Sequence, residues 1–189
     1  LISGDEIQKQ NLINKEVAIY YQLSREADST QQASDINKLV NSPDKQIKWL
    51  EQALAIRSDH IASRLKLSQL QHDSGNAKLS IKTIERGFVL KPHPDYVNAL
   101  RQDADDNQGN FMARLTKLAR KSKDYAGSRY IVAAASLDAD IWPPAISLLA
   151  EISESDHTNE YYLLQAEIAE KQEDEDATRR AMKQAARAP

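Results

Sequence analysis

A short acidic run in the second half of the chain has part of the spacing of a calcium-binding loop. Asp103, Asp105 and Asn107 occupy the first, third and fifth positions of such a loop. Loops of this kind need glycine at the sixth position for the turn and a bidentate glutamate at the twelfth. Here those positions hold Gln108 and Arg114. The run therefore predicts a solvated loop between helices rather than a calcium site.

The histidines and cysteines give no catalytic pattern either. None of the four histidines belongs to an HExxH motif or to an i,i+4 histidine pair, and the chain has no cysteine. No glycine-rich phosphate loop and no serine, histidine and acid arrangement is indicated. We predict that the protein is not an enzyme and that it holds no cofactor or metal.

One histidine leaves an alternative open. His93 lies in the step Lys91-Pro92-His93-Pro94-Asp95. Such a step can present an imidazole as an axial ligand to a porphyrin iron. A tetrapyrrole-binding or carrier module is therefore an alternative interpretation of the chain.

The strongest chemical signal is an uneven distribution of charge. Between residues 109 and 130 there are six bases against one acid, a net charge of +5. Between residues 131 and 176 there are twelve acids against one base, a net charge of −11. Adjacent segments of opposite sign can steer a charged partner. They can equally pair with each other as neighbouring helices stack, and a basic helix beside a membrane can contact anionic headgroups.

Five residues are the candidates for contact with a partner protein. Four of them, Arg114, Lys117, Arg120 and Lys121, belong to the basic segment. The fifth is Tyr161. Since it and its neighbour on the same helix cannot both face inward, one of the pair is predicted at the surface. Exposed aromatic residues often anchor protein interfaces.

The stretch 61–94 indicates the fold that positions these residues. It aligns without gaps on the 34-residue tetratricopeptide (TPR) template of two antiparallel helices. Its template positions are held by Leu67, Ser68, Gly75, Ser80, Ile84, Gly87 and Pro92. The small residues let the two helices approach closely, while Leu67 and Ile84 fill the space between them. Gly75 falls in the turn.

The rest of the chain predicts weaker copies of this unit. Repeats are predicted at 124–157 and 158–189, with an irregular break at 92–110. Ser42-Pro43-Asp44 has the signals of a helix start, and Ser58-Asp59 is expected to cap the next helix. In the predicted helix 159–172 the inward residues are expected to be Tyr162, Leu163, Ala166 and Ala169. Further helices are predicted over 5–27, 43–57, 95–102, 110–122, 124–138 and 174–187, with a loop at 28–41.

Composition agrees with a helical protein. Of the 189 residues, 41% are apolar, 28% charged and 6% aromatic, and Gly and Pro are few; this is typical of a soluble α-helical domain and argues against an all-β fold. A net charge of −3 provides no global attraction to nucleic acid. No apolar run reaches the roughly 20 residues of a membrane span. Because the chain begins at Leu1 and stops at Pro189, we expect a fragment of a longer protein.

From about residue 44 onward the chain resembles the HemY family, membrane-anchored TPR proteins associated with bacterial haem biosynthesis. The matching residues keep their order and spacing. They are Lys91-Pro92-His93-Pro94-Asp95, Arg114-Leu115, Lys117-Leu118, Ala133-Ala134-Ala135, Trp142, Leu148-Leu149, and the segments 162–170 and 179–189. The resemblance implies a parent protein anchored in the inner membrane, with this soluble domain on the cytoplasmic side and haem-pathway enzymes among its partners. It brings no catalytic residues.

Together these observations predict an all-α fold, a single TPR-like right-handed α-solenoid of antiparallel helix pairs over residues 1–189. The predicted function is a protein–protein interaction scaffold associated with porphyrin biosynthesis. The alternatives are the tetrapyrrole-binding module and a self-assembly module.

Overall fold

The structure is a computed structural model. It describes residues 4–29, 42–102, 108–122 and 124–188, with side chains for all of these except 4–9, 26–29 and 102. In this part of the chain every regular element is helical, which confirms the predicted all-α class. The ten α-helices found there are α1 (Gly4–Ser29), α2 (Pro43–Ile56), α3 (Ile61–Asp73), α4 (Ala77–Leu90), α5 (Pro94–Gln102), α6 (Gln108–Lys121), α7 (Tyr125–Asp138), α8 (Trp142–Ala150), α9 (Asn159–Lys171) and α10 (Glu175–Ala185). Residues 30–41 of the predicted loop, and Asp103, Asp105 and Asn107 of the acidic run, lie outside the described residues.

Two helices, α7 and α10, begin at an aspartate that caps them. The carboxylates of Asp124 and Asp174 each accept a backbone N–H three residues further on, at 2.9 Å. Each bond satisfies a donor that the helix itself leaves unpaired, and each carboxylate lies at the positive end of the helix dipole. Pro43 opens α2 as predicted, although the hydroxyl of Ser42 makes no capping bond.

The predicted cap of α3 at Ser58-Asp59 is wrong. A turn closes first, because the N–H of His60 donates to the carbonyl of Arg57 at 3.1 Å. The helix therefore starts later, and His60 is its N-cap, with Nδ1 accepting the N–H of Ser63. Burial lowers the pKa of His60, assisted by the Arg57 cation, and this favours the neutral imidazole that can accept the bond.

Three turns between helices share one backbone conformation. Each contains one residue in the left-handed region: Gly75 at φ 81°, Asp140 at 56° and Glu173 at 60°. The next residue then donates its N–H to the carbonyl five positions earlier, at 2.8, 2.8 and 3.0 Å respectively. This is the Schellman motif, and in each case the following helix begins two residues after the left-handed residue. The three predicted repeats thus contain helical hairpins, α3–α4, α7–α8 and α9–α10, closed by the same turn.

The predicted small residues meet in the seam between α3 and α4. The hydroxyls of Ser68 and Ser80 lie 2.8 Å apart across the two helices. Leu67 and Ile84, beside them, are 5% and 1% exposed. The small residues permit the close approach, whereas Leu67 packs with Leu50 and Leu70 in a core shared with α2 and not with Ile84.

In the second half of the chain one apolar core joins α7, α8 and α9. Its buried members are Tyr130, Ala133, Leu137, Ala145, Leu149, Ile152, Tyr161, Leu164 and Ile168. On α9 the prediction is right for Ala166 and Ala169, which are buried, and wrong for Leu163, which is 44% exposed. Tyr161 takes the core position expected for Tyr162, and Leu164 the position expected for Leu163.

The chain forms two compact units, Leu1–Gly87 and Phe88–Pro189. The first contains the packing of α1 on α2 and of α2 on α3, and the second that of α6 on α7 and α8 and of α9 on α10. Within the described residues, no helix has both the length and the apolar content needed to cross a bilayer. One continuous right-handed solenoid over residues 1–189 stays a prediction.

Candidate functional site

Helix α6 carries four of the five predicted contact residues. Its buried face packs into the second unit through Phe111, Met112, Leu115, Leu118 and Ala119. Lys117, Arg120 and Lys121 lie on the other side and are exposed. Arg120 and Lys121 stand in the last turn, where positive charge suits the helix dipole. The amphipathic pattern of α6 therefore turns three bases towards solvent.

These three bases line a groove of about 570 Å³, which we call the α6/α8 groove. Its α6 wall also includes Ala113 and Thr116, and its α8 wall consists of Pro143, Pro144 and Ser147. The prolines occupy the first turn of α8, where their missing N–H groups cost the helix nothing. Arg114 is half-buried and does not line the groove. The structure thus brings together three of the predicted residues and leaves out the fourth on this helix.

An ion-pair network lies next to this groove. Glu151, directly after α8, receives hydrogen bonds on one carboxylate oxygen from Arg120 (Nε, 2.9 Å) and on the other from Arg129 (Nε and Nη2, 3.1 and 3.0 Å). The hydrogen bond from Arg120 holds the pKa of Glu151 below its ordinary value, reinforced by Arg129 and opposed by partial burial. The basic and acidic segments therefore do pair internally at these residues.

Arg129 is the buried member of this network. Its side chain is 3% exposed. Its Nη1 also donates to the carbonyls of Ala119 and Tyr125, at 3.3 and 2.9 Å. The guanidinium carbon lies 3.4 Å from the centroid of the Tyr125 ring, a cation–π contact. Arg129 thus fastens the end of α6 to α7 and to the residue that follows α8.

The network leaves the groove with an excess of positive charge. No carboxylate belongs to its lining. Arg120 shares the carboxylate of Glu151 with Arg129, whereas Lys117 and Lys121 form no ion pair with any residue that the structure describes. Two lysines on an apolar and hydroxyl-bearing surface suit the carboxylates of a partner. The lining hydroxyls of Thr116 and Ser147 have no histidine or acid in the lining to activate them.

The prediction that Tyr161 is an exposed contact residue is wrong. Its side chain is 7% exposed, its ring stacks on His157 at 3.6 Å between centroids, and its hydroxyl accepts a hydrogen bond from Gln165 at 2.8 Å. Burial raises its pKa. One edge of Tyr161 reaches a separate groove of about 410 Å³ between α8, α9 and α10. The half-buried residue of the pair is Tyr162.

His93 has a structural role at the start of α5. Its Nδ1 accepts the backbone N–H of Asp95 at 3.2 Å, and its ring lies edge-on to Tyr96. This bond satisfies one of the N–H groups that the first turn of a helix leaves unpaired. Nothing else that the structure describes around His93 marks a tetrapyrrole site.

The sequence did not single out Glu151, Pro143 or Ser147 as parts of the site. Glu151 is one of twelve acids in its segment, and its partners lie 31 and 22 residues away. The only available signal was the excess of opposite charge in the two segments. Pro143 and Pro144 suit the first turn of a helix, but their place opposite α6 depends on how α8 packs.

Two further observations bear on the site. Among the described residues no group of three or more His, Asp or Glu side chains is arranged to hold a metal ion. Comparison of the chain with protein-family models, with curated proteins and with solved structures finds no match. The resemblance to the HemY family therefore stays a prediction.

Proposed function

We propose that this protein is a non-catalytic scaffold that binds an acidic segment of a partner protein in the α6/α8 groove. The observation that carries the proposal is the pair Lys117 and Lys121, exposed on the α6 wall with no ion pair among the described residues. A groove of about 570 Å³ falls within the range typical of binding sites. The ion pair at Glu151 holds the two walls together, so that the groove is formed before the partner arrives.

Preformed geometry favours binding, because less ordering is needed when the partner docks. Arg129 supports this role, since it ties the end of α6 to α7 and to Glu151 through four hydrogen bonds. Lys117 and Lys121 remain at the surface, where they steer an acidic partner and contribute mainly to its association rate. The resemblance to HemY suggests haem-pathway enzymes at the bacterial inner membrane as the partners to examine first.

The experiment is site-directed photo-crosslinking in cells. Benzoylphenylalanine replaces Ser147 on the groove wall, and in a parallel strain Glu170, which is exposed on α9 outside the groove. We expect adducts of defined mass from position 147 only. The adducts should disappear in the variant Lys117→Glu/Lys121→Glu.

A variant with the same change of charge elsewhere provides the control. Lys183→Glu/Arg187→Glu alters two exposed bases near the end of the chain. It should leave crosslinking from position 147 intact. Equal loss of adducts in both variants would show that only net charge matters, and the groove proposal would fail.

A further inference from the structure

A second groove, in the first unit, has the volume and the charged lining of a separate binding site. It has a volume of about 610 Å³ and lies between α2 and α4, with α3 at its base; we call it the α2/α4 groove. Its lining includes Glu51 on α2, Arg64 and Gln71 on α3, and Leu79, Lys82 and Arg86 on α4. This volume is again typical of a ligand site. No single segment of the sequence marks this groove, because its charges are spread over three helices.

The base of this groove is polar, buried and held in place. Arg64 is 5% exposed, and its guanidinium donates to the backbone carbonyls of Ser58 and Thr83. Gln71 is also 5% exposed, and its Oε1 accepts the hydroxyl of Thr83 at 2.7 Å.

The rim of the groove adds exposed positive charge. Lys82 and Arg86 lie four residues apart on α4 and therefore on the same face of the helix. With Arg64 they make three bases in the lining, against Glu51 as its one acid. Leu79, on the same wall, is 50% exposed. The surface thus combines an excess of positive charge with an exposed apolar side chain.

We infer that the α2/α4 groove binds an acidic peptide segment of a partner protein that also carries an apolar side chain. Lys82 and Arg86 pair with its carboxylates, and the guanidinium of Arg86 can hold one of them in a bidentate manner. Leu79 covers the apolar residue, and Glu51 on the opposite wall repels acidic side chains, so that they face α4. This site lies in a different unit from the α6/α8 groove, and its failure would leave that proposal standing.

The test is an NMR titration of the full chain, labelled with ¹⁵N, at low salt. The probe is the acetylated and amidated octapeptide EELEELEE, and its neutral twin is QQLQQLQQ. We expect saturable shifts of the amide signals of Gln71, Thr83 and Arg86 with the acidic peptide and none with the neutral one. In Lys82→Gln/Arg86→Gln the affinity should fall roughly tenfold, since two charge pairs are lost.

The matched control is Lys48→Gln/Lys78→Gln, which removes two exposed lysines of α2 and α4 that do not line the groove. It should bind within roughly twofold of the unaltered protein. Equal weakening in both variants, or shifts that map to residues outside the groove, would overturn the inference. Equal shifts with inorganic phosphate would mean a simple anion site. Concentration-dependent shifts without peptide would mean a second copy of the chain as the occupant, and either result would overturn the inference as well.

Discussion

Replacing Glu151 by Gln tests whether the ion pair at the α6/α8 groove is structural. The change keeps the shape of the side chain and removes its charge, so that Arg129 loses its carboxylate partner. Arg129 is 3% exposed on its side chain and cannot regain water without local unfolding. Removing one partner of a buried ion pair typically costs about 3–5 kcal/mol. Here the carbonyls of Ala119 and Tyr125 remain as acceptors and Glu151 is 27% exposed, so we expect about 2–3 kcal/mol.

Arg120→Gln provides the contrast, because it breaks the other half of the same network at the surface. Arg120 is 51% exposed on its side chain, and ion pairs of exposed residues contribute little to stability. The assay is urea unfolding at pH 7 in a Trp49→Phe background, so that the fluorescence of Trp142 reports on the second unit. A shift of the urea midpoint measures a change of stability when the dependence of the unfolding free energy on urea concentration is unchanged. If Glu151→Gln cost no more than Arg120→Gln, the role assigned to Arg129 would be refuted.

The pH dependence of the same variant gives a second readout. The folded-state pKa of Glu151 lies below its ordinary value of 4.5, chiefly through the hydrogen bond from Arg120. The ionised carboxylate therefore stabilises the fold fully above that ordinary value, and this contribution is lost as the pH falls through the lower, folded-state pKa. We expect the stability advantage of the unaltered protein over Glu151→Gln to shrink as the pH falls below 4.5. An advantage that stayed constant down to acid unfolding would contradict the pairing.

Three further predictions concern the hairpins and the tetrapyrrole alternative. Glu173→Gly should stabilise the protein by about 0.5–1 kcal/mol in urea unfolding, because left-handed backbone costs an L-residue about 1–2 kcal/mol, whereas ordering a glycine costs about 0.5–1 kcal/mol in chain entropy. Gly75→Ala should destabilise the protein for the same reason. Changes of the opposite sign would contradict the shared turn. Ile84→Ala should cost about 3 kcal/mol, whereas Leu163→Ala, on the surface, should change stability by less than about 0.5 kcal/mol; similar costs would show that burial is misassigned. Titration with haem should show no saturable Soret shift, and a shift lost in His93→Ala would instead support the tetrapyrrole module.

Much of the fold could be predicted from local sequence, because its signals act over a few residues. The small residues Ser68 and Ser80 correctly predicted where α3 and α4 approach closely, since their hydroxyls lie 2.8 Å apart. Gly75 marked the turn between these helices, since glycine adopts positive φ without strain. The equivalent turns at Asp140 and Glu173 carry no such signal, because these residues adopt the left-handed conformation at a cost that the following helix offsets.

The candidate site was predictable only in part. Sequence alone determined that Lys117, Arg120 and Lys121 share the polar face of a helix, because the 3.6-residue period decides this. Only the tertiary structure decided that Glu151 bonds to Arg120 and that Pro143 lies across the groove, since these contacts span 22 residues or more and depend on how α6, α7 and α8 pack. The α2/α4 groove arises in the same way. The sequence determines which residues are basic, and the packing of the helices decides that these bases gather at one surface.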